Sequence, residues 1–592
     1  MQEADGRRRV VVVGAGWGGL SVAHKLSMDA DTDVTVVDAA PRPGGLVSDS
    51  FLTPGGRRAE AGQHGFWDEY HNIFALLDSL KLPEDPLTGY AEQGQYSPQG
   101  LEAVWPVYRD QKQKLPTGLG QALYTRFLKL PLTDLASAAP LVLAFSEFDG
   151  SEEAYARYDE ISFYDLCVKL GVSRRMYDEA FEPMVLTGLF APGNQCSAAA
   201  ALGMAYFFVL KHQTSFDVRW CRGNVGEKIF APWVEQMMQR GVTFVPSTRA
   251  TGFVTRGQRR AEEAAAAANN DDAAPGATAA AARADDAAIA AVRCEGCEGD
   301  GGASSTLLEA DEVVFAVGAA ALAAMVRGAP ELSRHAEWRR YARLRGTGVL
   351  ATRLYLDRRL ETPYSANACW GFDRGVGMTW FDITKLHGLH GLGDEKKKGG
   401  GDGNDGSESG DGSDGSESGD GSESGDGSES EVESEAAEGS VIEVDFYHAQ
   451  SLLVMSDEQI VAKAKADLDT MLGADCAAAA VLDAAVVRLP QAVNWYCPGS
   501  YADLPSLRSE AVPNAYFVGD LVKSAHGSWS QEKAYVTGIE AANAILGKPD
   551  GDGIVPLDAD EPHVKLGRDA VAAARSAWPL PGKPPSFADF LF

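Results

Sequence analysis

The chain has 592 residues, of which 45% are hydrophobic, and its formal net charge is −31. This length exceeds what one simple core accommodates, and the acidic balance argues against nucleic acid as a partner. No apolar run reaches the ~18–20 residues that a membrane-spanning helix needs.

Three stretches have compositions that bury too little apolar surface to fold. Residues 257–286 are mostly alanine, residues 391–440 contain the repeated unit GDGSES, and residues 548–592 form a tail punctuated by Pro and Gly. We expect the first two to be disordered insertions, and the remainder suits a large two-domain enzyme. We interpret the acidic repeat as a tolerated loop insertion in preference to a calcium or protein-docking segment.

The cysteine pattern argues against a metal site, and the N-terminal residues argue against a recognisable targeting peptide. The cysteines are scattered, and Cys294 and Cys297 form a Cys-x-x-Cys pair without the second pair that a zinc site needs, so no metal is expected. The residues before the first strand, MQEADGRRR, match neither a secretory signal nor a Ser- and Arg-rich transit peptide. The protein is therefore either untargeted or lacks its true start.

The most informative stretch is a strand, a glycine-rich turn and a helix near the N-terminus. Residues 10–13 are four valines, which is typical of a strand buried on both faces. Gly14 permits a tight turn, Gly16 lets the backbone approach a pyrophosphate, and Gly19 lets the helix pack on the strand. The helix that follows offers free N–H groups and a positive dipole end to phosphates.

The next strand completes this pattern. Residues 34–37, three valines and a threonine, are again β-branched, and they are followed by Asp38, which suits the hydroxyls of a ribose. Ala15 and Trp17 belong to the same turn and are counted with it. Strand, turn, helix and acid in register predict a dinucleotide-binding site.

The middle of the chain alternates between element types. Residues 106–215 have helical periodicity, and residues 198–210 predict a buried or interfacial helix. Residues 223–239 predict a turn and a helix. Strands are predicted over residues 242–245, 250–254, 311–318, 350–356 and 441–447, and a helix over residues 457–472.

The C-terminal part contains a second strand-to-helix transition. Residues 516–518 are apolar and lead into Gly519 and Asp520. Residues 528–546 follow as a helix that Ser528 or Ser530 can cap. We expect this stretch to close the nucleotide site that begins at residue 10.

These motifs together resemble the flavin amine oxidase superfamily. They are the glycine-rich turn, PRPGG at residues 41–45, EAGQHGF at residues 60–66, and SQEKA at residues 530–534, which is similar to the family's Ser-Met-Glu-Gly-Ala. Within the superfamily, the chain is similar to the branch of carotenoid desaturases and isomerases over most of residues 9–547. It departs from the pattern where Leu46 replaces a basic residue and where Gln531 and Lys533 replace Met and Gly.

The resemblance implies an α/β fold in which two domains are interleaved. One is an FAD-binding, Rossmann-like domain of the glutathione-reductase type, and the other is an α+β substrate domain. The FAD domain would comprise residues 9–105, 216–330 and 495–547. The substrate domain would comprise residues 106–215 and 331–494, with residues 548–592 as the tail.

The resemblance also assigns the N-terminal and central contacts with FAD. Gly44 and Gly45 would lie over its pyrophosphate. Gly62 would allow the chain to approach the isoalloxazine ring, and His64 would lie near that ring. The backbone of Ala250 would pair with the adenine.

The C-terminal contacts follow in the same way. Gly519 would pass close to the cofactor, and Asp520 would accept hydrogen bonds from the ribityl chain. The backbone N–H of Gln531 would face the pyrimidine edge of the flavin. Cys497 lies in a segment that does not match the family's covalent attachment motif, so FAD is expected to bind non-covalently.

Residues 347–356 lack the lysine that true amine oxidases of this superfamily carry near the flavin. This absence favours desaturation or isomerisation of a small apolar carotenoid or polyprenoid. The alternatives are an FAD-dependent amine or other small-molecule oxidase and a non-redox FAD-binding protein. The sequence assigns no catalytic residue.

The resemblance has further consequences for partners and location. A separate electron acceptor, quinone or oxygen, would reoxidise the flavin, and a carotenoid substrate would require peripheral contact with a membrane. The resemblance to these enzymes implies that the protein resides in a plastid. If the resemblance is set aside, the protein is expected to be cytoplasmic.

Overall fold

The computed structural model describes residues 6–268, 285–297, 305–388 and 439–577. The acidic repeat predicted over residues 391–440 lies outside these ranges except for its last two residues. Most of the alanine-rich insertion and the end of the tail also lie outside them.

The first sheet is parallel and has five strands. Their order is Thr243–Val245, Thr32–Val37, Arg8–Val13, Glu312–Phe315, Ala515–Phe517. Val10 to Val13 are each at most 3% exposed, as expected of a strand covered on both faces. The predicted order of a first strand, a glycine turn and a second strand is confirmed, and the predicted C-terminal strand pairs at the opposite edge.

Two helices pack closely on this sheet. We call Trp17–Leu26 the glycine-loop helix and Gln531–Leu546 the closing helix. A Cβ at Gly538 would lie 2.5 Å from the backbone oxygen of Gly18. The missing side chain therefore allows the two helix backbones to approach each other.

The second sheet has eight strands and joins distant parts of the chain. Its order is Val481–Asn494, Gly346–Leu356, Val441–Tyr447, Gly377–Asp382, Ala366–Cys369, Gln93–Ser97, Gly100–Trp105, Arg126–Phe127. The pairs are antiparallel except for Ala366–Cys369 with Gln93–Ser97. Residues 93–105 thus pair within this sheet, although the sequence grouped them with the first part of the FAD domain.

Smaller sheets complete the strand inventory. Three antiparallel strands form one of them: Thr248–Thr255, Ile289–Gly296, Ser305–Glu309. Two ribbons pair Phe51–Leu52 with Arg58–Ala59 and Gly65–Trp67 with Val218–Trp220. Cys294 is buried in the central strand of the three, Cys297 is exposed, and both are free thiols.

Helices cover the sheets and fill the region between them. The α-helices of residues 106–215 are Leu119–Tyr124, Leu132–Ala136, Leu141–Glu147, Glu152–Tyr158, Phe163–Lys169, Arg174–Met176, Glu182–Leu189, Ala198–Ala205. Others are His71–Leu80, Ala231–Gln239, Ala319–Gly328, Pro330–Ser333, Ala336–Tyr341, Ile383–Leu386, Asp457–Leu472, Ala474–Ala477. Short π-helical turns occupy Tyr177–Phe181, Tyr206–Leu210, Gly226–Phe230, and 3-10 turns occupy Gly45–Val47, Tyr108–Asp110, Ser500–Asp503.

Two segments that the sequence placed outside the folded part are helical. Residues Arg256–Ala268 form a helix, where the prediction of an unfolded insertion from residue 257 was wrong. Alanine has the highest helix propensity, and Arg259 and Arg260 pair with Glu309 and Asp285.

The tail contains a helix as well, over Pro562–Ser576, so the prediction of an unfolded tail was wrong for these residues. Proline at the first turn starts a helix without losing a hydrogen bond. Contacts with the rest of the molecule hold the tail, including the hydrogen bond from Arg568 Nη2 to the oxygen of Phe148 at 3.2 Å. Among the described residues, none of the helices has both the length and the apolar character needed to cross a bilayer.

Candidate active site

A cavity of about 570 Å³ lies between the two sheets, and we call it the main cavity. The first sheet and its helices contribute the glycine turn, Asp38 and the start of the closing helix. The second sheet contributes Val349, Phe381 and Asp445. The site is thus assembled from segments that are far apart in the chain.

The glycine turn has the geometry that the sequence predicts. Gly14 has φ +111°, and a Cβ there would lie 2.2 Å from the oxygen of Ala316. A Cβ at Gly19 would lie 2.0 Å from the oxygen of Gly14, so only glycine lets this helix meet its strand. Gly16 caps the glycine-loop helix without a side-chain hydrogen bond and lines the cavity, so this helix end is available to an anion.

Asp38 lies where the second strand of the fingerprint ends. Its Oδ2 accepts a hydrogen bond from the N–H of Ala15 at 2.6 Å, and its Oδ1 accepts one from the N–H of Ala40 at 2.7 Å. Burial raises the pKa of Asp38, while these two donors oppose the rise. The bonds orient a carboxylate that lines the cavity.

The C-terminal half of the site lies opposite. Asp520 accepts hydrogen bonds from Asn494 Nδ2 at 2.7 Å and from the Tyr496 hydroxyl at 3.1 Å. Gln531 accepts one from Trp17 Nε1 at 2.8 Å and donates one to the oxygen of Gly65 at 2.9 Å. These bonds join the closing helix to the glycine turn across the cavity.

Most of the residues predicted from the sequence meet in the main cavity. Those that line it are Gly14, Gly16, Trp17, Asp38, Gly44, Gly45, Gly62, His64, Gly519, Asp520 and Gln531. Ala15 and Gly19 do not line the cavity but support residues that do. The N–H of Ala15 donates to Asp38, and Gly19 packs against Gly14. Ala250 is 5% exposed in the three-stranded sheet and is not part of this lining.

Gly62 and His64 line the side of the cavity that faces the second sheet. A Cβ at Gly62 would lie 3.0 Å from Asp445 Oδ2, so the glycine makes room for that carboxyl group. Burial lowers the pKa of His64 to about 4. Its Nδ1 is buried and has no hydrogen-bond partner in the described part of the chain, which leaves a neutral imidazole beside the cavity.

Asp445 is the ionisable residue that the sequence reading missed. It is fully buried, lines the cavity, and its Oδ1 has no hydrogen-bond partner among the described residues. Burial and the nearby Glu443 raise its pKa well above the ordinary value, which favours the neutral acid. A signal was present, because alternation in the strand Val441–Tyr447 places both acids on one face.

The remainder of the lining is largely apolar. It includes the side chains Trp67, Trp105, Met184, Phe190, Met204, Phe208, Phe216, Trp220, Phe381, Leu489, Val493 and Trp529. The described residues place no lysine or arginine in this lining. Such a surface suits an apolar ligand, with a few polar groups to orient it.

The polar end of the cavity fits a flavin dinucleotide. The free helix end at Gly16 suits a pyrophosphate, and Asp38 suits ribose hydroxyls. On the opposite side of the cavity, the carboxylate oxygens of Asp520 provide further hydrogen-bond acceptors. Gly14 and Gly62 both line the cavity with positive φ, +111° and +96°, a backbone conformation that favours glycine and leaves no side chain between the backbone and a ligand.

A parallel sheet with this glycine turn, an acid at the end of the second strand and a closing C-terminal helix defines a dinucleotide-binding protein of the α/β class. The model of one family, flavin containing amine oxidoreductase, matches residues 17–546. The chain belongs to this family, and it is an FAD-dependent oxidoreductase.

Relatives among characterised proteins are distant. The zeta-carotene desaturase of Synechocystis sp. is 25% identical over 254 residues, which cover 40% of this chain and 48% of the relative. The chloroplastic/chromoplastic zeta-carotene desaturase of Arabidopsis thaliana is 26% identical over 242 residues, covering 39% and 42%. The chain thus spans about half the length of the first relative and less of the second.

The structure is also similar to solved members of the fold. Cyclohexylamine oxidase from Brevibacterium oxydans superimposes with a TM-score of 0.56 over 91% of this chain and 99% of that one. The two sequences are 14% identical, so this similarity establishes the fold and not the substrate.

Proposed function

We propose that the protein binds FAD non-covalently and desaturates or isomerises an apolar carotenoid or polyprenoid. The observation that carries this proposal is the apolar lining of the main cavity, which contains aromatic and aliphatic side chains and no described lysine or arginine. The partial similarity to zeta-carotene desaturases supports the same substrate class.

The chain's own residues would hold the cofactor and the substrate as follows. Gly16 and Asp38 would bind the pyrophosphate and ribose, and Asp520 would accept hydrogen bonds from the ribityl chain. The N-terminus of the closing helix would stabilise negative charge at the pyrimidine edge. When bound, FAD supplies a two-electron acceptor for hydride. The aromatic walls would orient the polyene and exclude water.

Non-covalent binding is supported by the position of the nearest candidate thiol. Cys497 is not among the residues that line the main cavity. Burial raises the pKa of its thiol, which disfavours the reactive thiolate.

A second candidate is oxidation of an amine. Asp445, together with aromatic side chains such as Phe190 and Trp529, supplies the groups that bind an alkylammonium ion when the carboxyl is ionised. The neutral acid favoured by burial weakens this candidate.

The decisive experiment mixes flavin-loaded, full-length protein anaerobically with zeta-carotene in liposomes, or with putrescine or cyclohexylamine. We expect loss of flavin absorbance with the carotenoid alone, together with a product whose conjugation is longer. Isomerisation would instead change the chromatographic isomer pattern without net bleaching. Bleaching by an amine alone would establish the second candidate.

A matched pair of variants controls for cofactor binding. Asp38→Asn should reduce the flavin content, because the cavity-facing carboxylate is lost. Asp33→Asn, at the start of the same strand, should retain it, because Asp33 is half-buried, pairs with Arg7 and does not line the cavity. Bound flavin with no response to any substrate would favour a non-redox FAD-binding protein.

Three further elements belong to this proposal. The electron acceptor is a quinone or oxygen. Peripheral membrane contact follows from a substrate that dissolves in lipid. A plastid location is supported by the chloroplastic relative named above.

A further inference from the structure

A second cavity, of about 390 Å³, lies beside the main cavity, and Trp529 lines both. It lies between the helix Glu152–Tyr158 and the first turn of the closing helix. We call it the lysine cavity because Lys533 lines it. Six serines contribute to its lining: Ser151, Ser197, Ser500, Ser506, Ser524 and Ser528.

Lys533 carries a charge that no protein group neutralises by contact. Its side chain is 9% exposed. Its backbone N–H donates a hydrogen bond to the side chain of Ser530, which caps the helix. Its Nζ makes no hydrogen bond or ion pair within the described part of the chain. Burial lowers the pKa of Lys533 to about 8, and the charges of Asp520 and Glu540 offset this only in part. An ammonium group withdrawn from water without a partner is unfavourable.

The other charged groups in the lining are already engaged. Lys523 Nζ lies 3.4 Å from Glu152 Oε1 and 4.6 Å from the centre of the Tyr501 ring. Asp159 Oδ2 accepts a hydrogen bond from the N–H of Tyr501 at 2.8 Å. Among the described residues of this lining, Lys533 is therefore the charged group that lacks a hydrogen bond or ion pair of its own.

The sequence indicates that this charge is a feature of the present chain. In the motif SQEKA, Lys533 replaces the glycine of the family's pattern, so the pattern itself supplies no side chain here. The contacts of the main cavity through Gln531 do not require a lysine two residues later.

We propose that the lysine cavity binds a small organic anion whose carboxylate or phosphate group lies against Lys533 Nζ and the serine hydroxyls. A cavity of this size admits more than a bare ion. The rings of Tyr155 and Trp529 provide apolar surface for the rest of the ligand. Through Trp529 the anion contacts a residue of the main cavity wall. The site does not depend on which substrate the enzyme oxidises.

The test is calorimetric titration of the full-length protein in saturating FAD, with inorganic phosphate and benzoate as probes. Saturating FAD occupies the dinucleotide site, so that the probes cannot bind at its helix end. We expect at least one probe to bind wild type with one-to-one stoichiometry. Lys533→Met should weaken binding about tenfold or more, because a charge-assisted contact is lost.

Lys523→Met is the matched control, since it removes the other lysine of the lining, which is already paired with Glu152. Its affinity should stay within about threefold of wild type. Flavin absorbance confirms that both variants are folded. Binding of phosphate alone or of benzoate alone identifies the anion class. No saturable binding to wild type, or equal weakening by the two variants, would overturn the proposal.

Discussion

Asp445 faces the main cavity from the second sheet, and one of its carboxyl oxygens receives no hydrogen bond from the described residues. A carboxylate in this position would be buried beside Glu443 without a cation of its own. The protein avoids that charge by holding the proton, as the raised pKa of Asp445 indicates. The cavity therefore presents a neutral hydrogen-bonding group to its ligand.

Asp445→Asn tests this view, because the amide has nearly the shape of the neutral acid. We expect carotenoid conversion to remain within about threefold of wild type, measured as product formed per bound flavin. If the ionised carboxylate were required, as for an alkylammonium substrate, activity would fall by orders of magnitude. Asp445→Ala removes the whole carboxyl group and leaves an empty space. Comparison with Asp445→Asn therefore separates the effect of lost side-chain shape from the effect of lost charge.

Glu60 gives a pH dependence with a definite sign. It is 1% exposed, and burial raises its pKa to about 8. The folded protein holds this proton more tightly than the unfolded chain does. The contribution of Glu60 to the free energy of unfolding is therefore fully present below about pH 4.5. It is lost as the pH rises toward about 8.

Glu60→Gln should remove this dependence. Between pH 5 and pH 8, we expect the free energy of unfolding of wild type to fall by ~2–4 kcal/mol more than that of the variant. Denaturant titrations across this range measure the difference. Glu235→Gln, at an exposed helix position, should follow the wild-type curve. Parallel curves for wild type and Glu60→Gln would contradict the assignment.

Residues were predictable where their role is local. Gly14, Gly16 and Asp38 follow a strand–turn–helix order that is readable within 30 residues. Asp445 and Lys533 were not assigned a role, because what they face depends on neighbours brought together by the fold. Asp445 needs the packing of one sheet on the other, and Lys533 needs the helix Glu152–Tyr158, which lies more than 370 residues earlier in the chain and lines the same cavity.

At the scale of elements, the closest packing joins the glycine-loop helix and the closing helix. Gly538 meets Gly18 and Ser21 at distances that exclude a side chain. The two helices carry the two halves of the nucleotide site. We therefore expect their separation to set the width of the main cavity between them.

Gly538→Ala should push these helices apart. A Cβ would lie 2.5 Å from a backbone oxygen, so we expect a loss of ~1–3 kcal/mol in unfolding free energy and weaker flavin binding. Thermal melting and flavin release by dilution measure the two effects. Ala544→Ser, on the exposed face of the same helix, should change neither. An unchanged flavin affinity in the alanine variant would show that the helix spacing does not govern the site.

Elements with a strong period were predicted well, whereas two of the segments judged by composition contain helices that were not predicted. The helix Asp457–Leu472 and the strand Val441–Tyr447 match their predicted bounds. The helix Pro562–Ser576 was missed because flanking Pro and Gly suggested a tail without structure. Its residues still favour a helix, and contacts with the body, such as that of Arg568 with the oxygen of Phe148, hold it in place.

At the scale of the molecule, the described part of the tail contacts the glycine-loop helix, through Asp552 and Lys25, and the helical region of residues 106–215, through Arg568 and Phe148. Asn72 joins it to the closing helix, since its Nδ2 donates to Glu532 Oε1 at 2.7 Å and to the oxygen of Val555 at 3.0 Å. The N–H of Val555 donates to Asn72 Oδ1 at 2.7 Å. One buried amide thus connects three separate segments.

Asn72→Ala should loosen this connection. Glu532 would lose a side-chain donor and the tail would lose both bonds, so we expect a destabilisation of ~2–4 kcal/mol. Limited proteolysis should cut within residues 548–577 faster than in wild type. His563→Ala removes a peripheral tail contact, with Thr117, and should have a smaller effect. Equal cleavage of wild type and Asn72→Ala would contradict the role of the amide.

The span between Trp17 and Gln531 has a consequence during biosynthesis. The hydrogen bond that joins them connects residues 514 positions apart. At typical ribosomal rates the second partner is made roughly 25–100 s after the first. Throughout that interval the nascent chain cannot enclose a flavin, because the N-terminal wall of the main cavity has been made and the closing helix opposite it has not. Flavin loading is therefore a late event, and riboflavin supply should govern the yield of mature enzyme after translation has ended.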